Sequence, residues 1–206
     1  MVSNVKSHST LSSAIIEDVT NHCNLKENTD FALAYFYFDF TSDAKRKTSS
    51  CLIRSFLTQL SFQLHKRPDE LLELYEKCQH GSQQAPTADL MKVLKSIIGK
   101  FQHVYFIIDA LDECSEWENL LGVLTEIADW KLPNLHVLAT SRRERCIEER
   151  LTRVVSSHMN LDSDLVDEDI RHYLKVILVE DTRFKGWTER DRRKTEDTLV
   201  EGAHGM

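Results

Sequence analysis

Asp109, Asp112 and Glu113 place three carboxylates directly after an apolar run, Val104–Ile108. Hard cations such as Mg²⁺ take carboxylate oxygens, and open α/β sheets bind ligands at the carboxyl ends of their strands. On that chemistry Asp109 holds Mg²⁺ through water, and Asp112 or Glu113 orients the water that attacks a terminal phosphate. Arg142 follows a second apolar run, Leu135–Thr140. A guanidinium at that sheet edge would contact a terminal phosphate oxygen. Each residue also has a plainer reading. Acidic side chains are favoured wherever a helix begins, and Arg142, Arg143 and Arg145 would form a basic turn paired with Glu144, Glu148 and Glu149. At this level both readings stand.

A triphosphate site also needs a cradle of backbone N–H groups with a lysine, written GxxxxGK followed by Ser or Thr at the start of a helix. The helix in the right place is Ser9–Val19, with Ser9 or Thr10 as its cap and Leu11, Ala14, Ile15 and Val19 on one face. Laid there, the glycines fall on Val2 and Ser7, the lysine on His8, and the hydroxyl residue on Ser9. Only Ser9 fits. Glycine turns tightly around phosphates at no steric cost, and a histidine is largely neutral near pH 7 where lysine is cationic. The candidate phosphate-binding positions are therefore Ser7, His8, Ser9 and Thr10, with Ser9 sharing the metal with Asp109.

These groups need a scaffold. Val104–Ile108, apolar on both faces, suits a central parallel strand covered by helices on each side. Ala32–Phe40 and Leu135–Thr140 read as further strands, and Val154–Leu161 as an edge strand. Helical spacing marks Thr41–Leu64, through Leu52, Ile53, Phe56, Leu57, Leu60 and Leu64. Shorter helices are expected over Pro68–Cys78, Thr87–Lys100, Ser115–Trp130 and Glu144–Leu151, with a loop over residues 80–86. Strand alternating with helix four times predicts a three-layer parallel α/β sheet. From Asp162 the pattern is helical only, over Leu165–Val179 and Thr188–Ala203. The expected division is an α/β core over residues 1–161 and the start of a helical subdomain over residues 162–206.

Composition limits the partners. The chain has 206 residues, 41% hydrophobic and 29% charged, with a net charge of −7. That size holds one well-cored domain or a domain with a small appendage. The negative charge argues against a broad grip on nucleic acid or an anionic membrane. No apolar run approaches a membrane span, and residues 1–10 carry no signal-peptide core. Five scattered cysteines without a CxxC pair read as reduced, mostly buried thiols of a cytoplasmic protein. The nine histidines show no metal-binding spacing.

FIIDALDEC followed by LPNLHVLATSR resembles the NACHT class of STAND P-loop NTPases. The likeness is to fungal NACHT-ankyrin proteins and nephrocystin-like N-terminal modules, vegetative-incompatibility proteins among them. STLSSAIIEDV resembles the helix after their P-loop, and AYFYFDF, LTQL, DEDIRHYL and VEGAHGM extend the likeness nearly end to end. The resemblance implies Mg²⁺ and ATP or GTP as cofactors, and a switch whose nucleotide state controls self-oligomerisation and other signalling domains. It makes Asp109 the Walker B aspartate, Asp112 and Glu113 the acidic pair after it, Arg142 the sensor, and Ser9 the Mg²⁺ ligand of the P-loop. Val2, Ser7 and His8 depart from the pattern, and the strand expected before Ser9 is missing. The expectation is a fragment of a larger protein with weak or lost hydrolysis. The alternative is a non-enzymatic interaction module that keeps the fold without binding nucleotide.

Overall fold

The computed structural model describes residues 6–25, 30–38, 48–142, 145–152, 154–159 and 163–203. The chain divides into two compact units, one over residues 8–155 and one taking in the residues from Ser156 onward. The first is a parallel sheet flanked by helices, as its strand–helix alternation predicts.

The centre of the sheet is β2, His103–Asp109, in the order β1-β2-β3. It pairs in parallel with β1 (Phe31–Tyr37) through Phe31↔His103 to Tyr37↔Asp109, and with β3 (Leu135–Ala139) through Val104↔Leu135 to Ile108↔Ala139. Alternation along β2 sends Val104, Phe106 and Ile108 to one face and Ile107 and Asp109 to the other, and all five are buried. On the first face the core closes against α2 (Ser49–Gln63), α4 (Thr87–Ile98) and α5 (Trp117–Asp129). Phe56 of α2 stacks on Phe106 with ring centroids 4.1 Å apart. Leu52, Ile53, Phe56, Leu57 and Leu60 recur at helical spacing and are all buried. The short α3 (Asp69–Lys77) is tied to α4 by Lys77–Asp89 at 2.8 Å.

On the second face lies α1, Lys6–Cys23. Its described side chains are mostly half-buried or exposed, with Ser12 fully buried. At its far end His22 meets Phe31 and Tyr105.

The two sheet edges are finished differently. At β1, Gln63 takes the N–H of Leu33 (3.1 Å) and donates to its carbonyl (2.7 Å), and Gln59 does the same for Tyr35 (3.1 and 2.7 Å). The two glutamines, four apart on α2, thus act as a surrogate strand. At β3, Val137 and Leu138 are 45% and 41% exposed, and no such clamp is present among the described residues.

Several expectations need correction. The helix at the start runs from Lys6, so Ser9 and Thr10 lie inside it and are not its cap. Pro68 is the residue before α3 and not its first turn. The chain after β2 makes a single 3₁₀ turn over Leu111–Glu113, and α5 begins at Trp117. Residues 154–159 are not a strand. The N–H groups of Val154 and Val155 both bond back to the carbonyl of Leu151 (2.8 and 2.9 Å), winding the end of α6 (Arg145–Leu151). The Ser156–Ser157–His158 run that follows has no apolar alternation to hold an edge strand. Three strands, not four, occur among the described residues. Residues 39–47, 143–144 and 160–162, on which parts of the expected elements fall, lie outside the described set.

The second unit holds α7, Ser163–Glu180, and α8, Glu189–Ala203. Leu178 and Val200 are buried, and Arg171 pairs with Asp197 at 2.9 Å and Glu196 at 3.5 Å. No helix among the described residues is long and apolar enough to cross a membrane.

Candidate functional site

β2 ends in Asp109, whose burial at 2% exposure calls for hydrogen-bond partners. Two hydroxyls supply them at one oxygen. Ser12 Oγ of α1 donates to Asp109 Oδ1 at 2.5 Å, and Thr140 Oγ1, just past β3, donates to the same oxygen at 2.6 Å. The carbonyl of Asp109 accepts from the N–H of Phe38 at 3.1 Å. Asp109 therefore ties the first helix and the end of β3 through its carboxylate, and the end of β1 through its backbone carbonyl.

The chain then reverses through Ala110, which takes the left-handed conformation at φ 57°, ψ 56°. This costs an L-residue roughly 1–2 kcal/mol, and Thr140 holds it there through its hydroxyl and its carbonyl. Thr140 Oγ1 accepts from the N–H of Ala110 at 3.1 Å, and the Thr140 carbonyl accepts from the N–H of Leu111 at 2.9 Å. Thr140 thus joins Asp109 to the turn that carries the next two acids.

That turn delivers Asp112 to Arg142. Asp112 Oδ1 accepts from the Arg142 N–H at 3.0 Å and from Ser141 Oγ at 3.4 Å, and its Oδ2 lies 3.5 Å from Arg142 Nε. The Asp112 side chain is 4% exposed and that of Arg142 is 45% exposed. The guanidinium therefore stands at the surface while its counter-ion is sunk beneath it. Glu113 is half-buried on the same turn. Cys114 follows, with its thiol pushed up in pKa by burial, so it stays protonated at neutral pH.

Of the residues singled out by sequence, the structure thus gathers Asp109, Asp112, Glu113 and Arg142 at one end of the sheet. Ser7, His8, Ser9 and Thr10 lie in the first turns of α1, and their side chains are outside the described set. Sequence reasoning missed Ser12 and Thr140. Ser12 lies three residues after Ser9, on the same helical face, and Thr140 closes the strand that precedes Arg142. No group of three or more His, Cys, Asp or Glu side chains suited to a metal ion occurs among the described residues. A carboxylate with a serine hydroxyl on one of its oxygens is nevertheless a donor pair that suits a hard, mostly hydrated cation.

Fold and site together define a parallel α/β domain with a carboxylate, hydroxyl and guanidinium cluster at the carboxyl end of its sheet. A family model, Nephrocystin 3, N-terminal, matches residues 6–142, from the start of α1 to the site arginine. The chain belongs to the nephrocystin 3 N-terminal family. No curated protein and no solved structure matches it.

Proposed function

We propose that the chain is a NACHT-type switch module that binds Mg²⁺ with ATP or GTP and hydrolyses it weakly or not at all. It would act within a larger self-assembling signalling protein. The observation that carries this reading is the double use of Asp109 Oδ1, which accepts from Ser12 on α1 and from Thr140 at the end of β3. Occupancy at this carboxylate would change what holds α1, and a switch needs a ligand-facing group coupled to a movable element.

Asp109 and Ser12, with Ser9 by its sequence position, would hold the cation. The ion when bound would offset phosphate charge. Arg142 would face the terminal phosphate on leaving Asp112. Weak turnover follows from Asp112, since Arg142 and Ser141 occupy its oxygens and leave it poorly placed to orient water. A second reading, an interaction module without nucleotide, is favoured by the same Arg142–Asp112 pairing together with histidine at the lysine position.

Titration with a fluorescent ATP or GTP analogue, with and without Mg²⁺, tests the proposal. Saturable, Mg²⁺-dependent binding that is lost in Asp109→Ala is expected. Absence of saturation at millimolar nucleotide would leave the interaction module as the function.

A further inference from the structure

Asp112 divides its two oxygens between the backbone and the side chain of one residue. Oδ1 accepts from the Arg142 N–H at 3.0 Å, which fixes the course of the chain past β3, and Oδ2 lies 3.5 Å from Arg142 Nε. The acid itself is fixed in place. Its side chain is 4% exposed, and the turn that carries it is held by the Thr140 hydroxyl at Ala110 and the Thr140 carbonyl at Leu111. The Arg142 side chain is 45% exposed, so the guanidinium is free to swing out while Asp112 cannot follow it. Thr140, which donates to Asp109 Oδ1 at 2.6 Å, lies just before Arg142 in the chain. The Asp112–Arg142 pair therefore borders the proposed cation site.

We propose, resting on the nucleotide reading of this site, that Asp112 is an autoinhibitory counter-ion that makes the terminal phosphate of a triphosphate compete for Arg142. A guanidinium forks onto a carboxylate or a phosphate with the same geometry, so two anions contend for one cation. A diphosphate ends one phosphate short and leaves the pair closed, whereas a triphosphate opens it. The pair thus sets how strongly the site tells a triphosphate from a diphosphate. In this role Asp112 is a positioning residue, acting on ligand only through Arg142. Asparagine separates the two uses of the side chain. Its amide oxygen still accepts from the Arg142 N–H, while the amide nitrogen in place of Oδ2 is a donor and cannot pair with a guanidinium.

The test is calorimetric titration of the full chain with Mg²⁺-ATP and Mg²⁺-GTP, each against its diphosphate. Asp112→Asn should tighten triphosphate binding about three- to fivefold, the scale of a half-exposed ion pair, and leave diphosphate binding unchanged. The gain should vanish when Arg142→Gln is added, whereas simple relief of charge repulsion would survive there. A second measurement needs no change at Asp112. The Arg142 Nε–H magnetic resonance signal of the native chain, assigned by its loss in Arg142→Gln, should shift with triphosphate and stay in place with diphosphate. A melting profile for each variant separates loss of the contact from loss of the fold. No gain in a folded Asp112→Asn, a gain shared by the diphosphate or kept in the double variant, or an Arg142 signal unmoved by bound triphosphate would overturn the proposal and leave the nucleotide site standing. No binding of any of these nucleotides to the native chain or to Asp112→Asn would overturn the nucleotide reading and the proposal with it.

Discussion

Ser12 and Asp109, 97 positions apart, are joined by a fully buried hydroxyl–carboxylate bond of 2.5 Å. A hydrogen bond to a carboxylate contributes about 1.5–3 kcal/mol. Ser12→Ala should therefore destabilise the chain by about that much, read as a lower denaturant midpoint at unchanged m-value. Because Thr140 donates to the same oxygen, Ser12→Ala and Thr140→Val should not be additive. A coupling of about 0.5 kcal/mol or more is expected in the double-mutant cycle. Strict additivity would mean that the two hydroxyls act independently.

The sheet edges predict how the chain associates. Exposed, uncharged edge strands pair with other chains, and β3 presents Val137 and Leu138 without a charge among its residues. Val137→Lys should lower the apparent mass in light scattering at high concentration. Gln59→Ala with Gln63→Ala removes the amides that close the β1 edge. It should raise the apparent mass and lower stability, because backbone groups of Leu33 and Tyr35 lose their partners.

One acid-sensitive contact is well defined. Glu70 accepts from Lys100 Nζ at 2.9 Å and from Ser96 Oγ at 2.8 Å. Chiefly through Lys100, these bonds lower its pKa from the ordinary 4.5 to about 2. A carboxyl with a depressed pKa in the folded state stabilises fully above its unfolded value and loses that contribution as pH falls through the folded one. The Glu70 share should therefore be intact above pH 4.5 and vanish toward pH 2. Both side chains are about one-third exposed, so solvent screening keeps the effect small. Comparing the native chain with Glu70→Gln by denaturant unfolding from pH 6 to pH 2 should give curves that converge at the acid end.

Core packing offers a larger effect. Phe106 is 1% exposed and stacks on Phe56. Truncating a buried phenylalanine costs about 3–5 kcal/mol. Phe106→Ala should unfold the chain or lower its melting point steeply, while Phe62→Ala, 85% exposed on the same helix as Phe56, should change little.

Much of this fold was legible in the sequence because period and burial agree. The run at β2 is apolar on both faces, as a central strand demands, and α2, α4 and α5 carry their leucines and isoleucines at helical spacing. Where period and burial part, the reading failed. Val154 and Val155 look like strand residues but continue the winding of α6. The placement of Asp109, Asp112 and Arg142 at one sheet end follows from strand–helix alternation and was foreseeable. Ser12 and Thr140 were not, since hydroxyl residues are common and only tertiary geometry brings two of them to one carboxylate. The clamps of Gln59 and Gln63 on β1 are likewise invisible in sequence, because side-chain amides imitating a strand leave no periodic signal.

The proposed function makes Asp109 the anchor of a nucleotide-responsive site. A ligand that binds only the folded state raises the melting temperature by mass action, so the most direct measurement is a thermal melt with Mg²⁺-ATP, with Mg²⁺-GTP, and with neither. A rise with one nucleotide that disappears in Asp109→Ala is the predicted result. Superimposable melts at millimolar nucleotide would contradict it and leave the Ser12–Asp109–Thr140 cluster as a structural tie between helix and sheet.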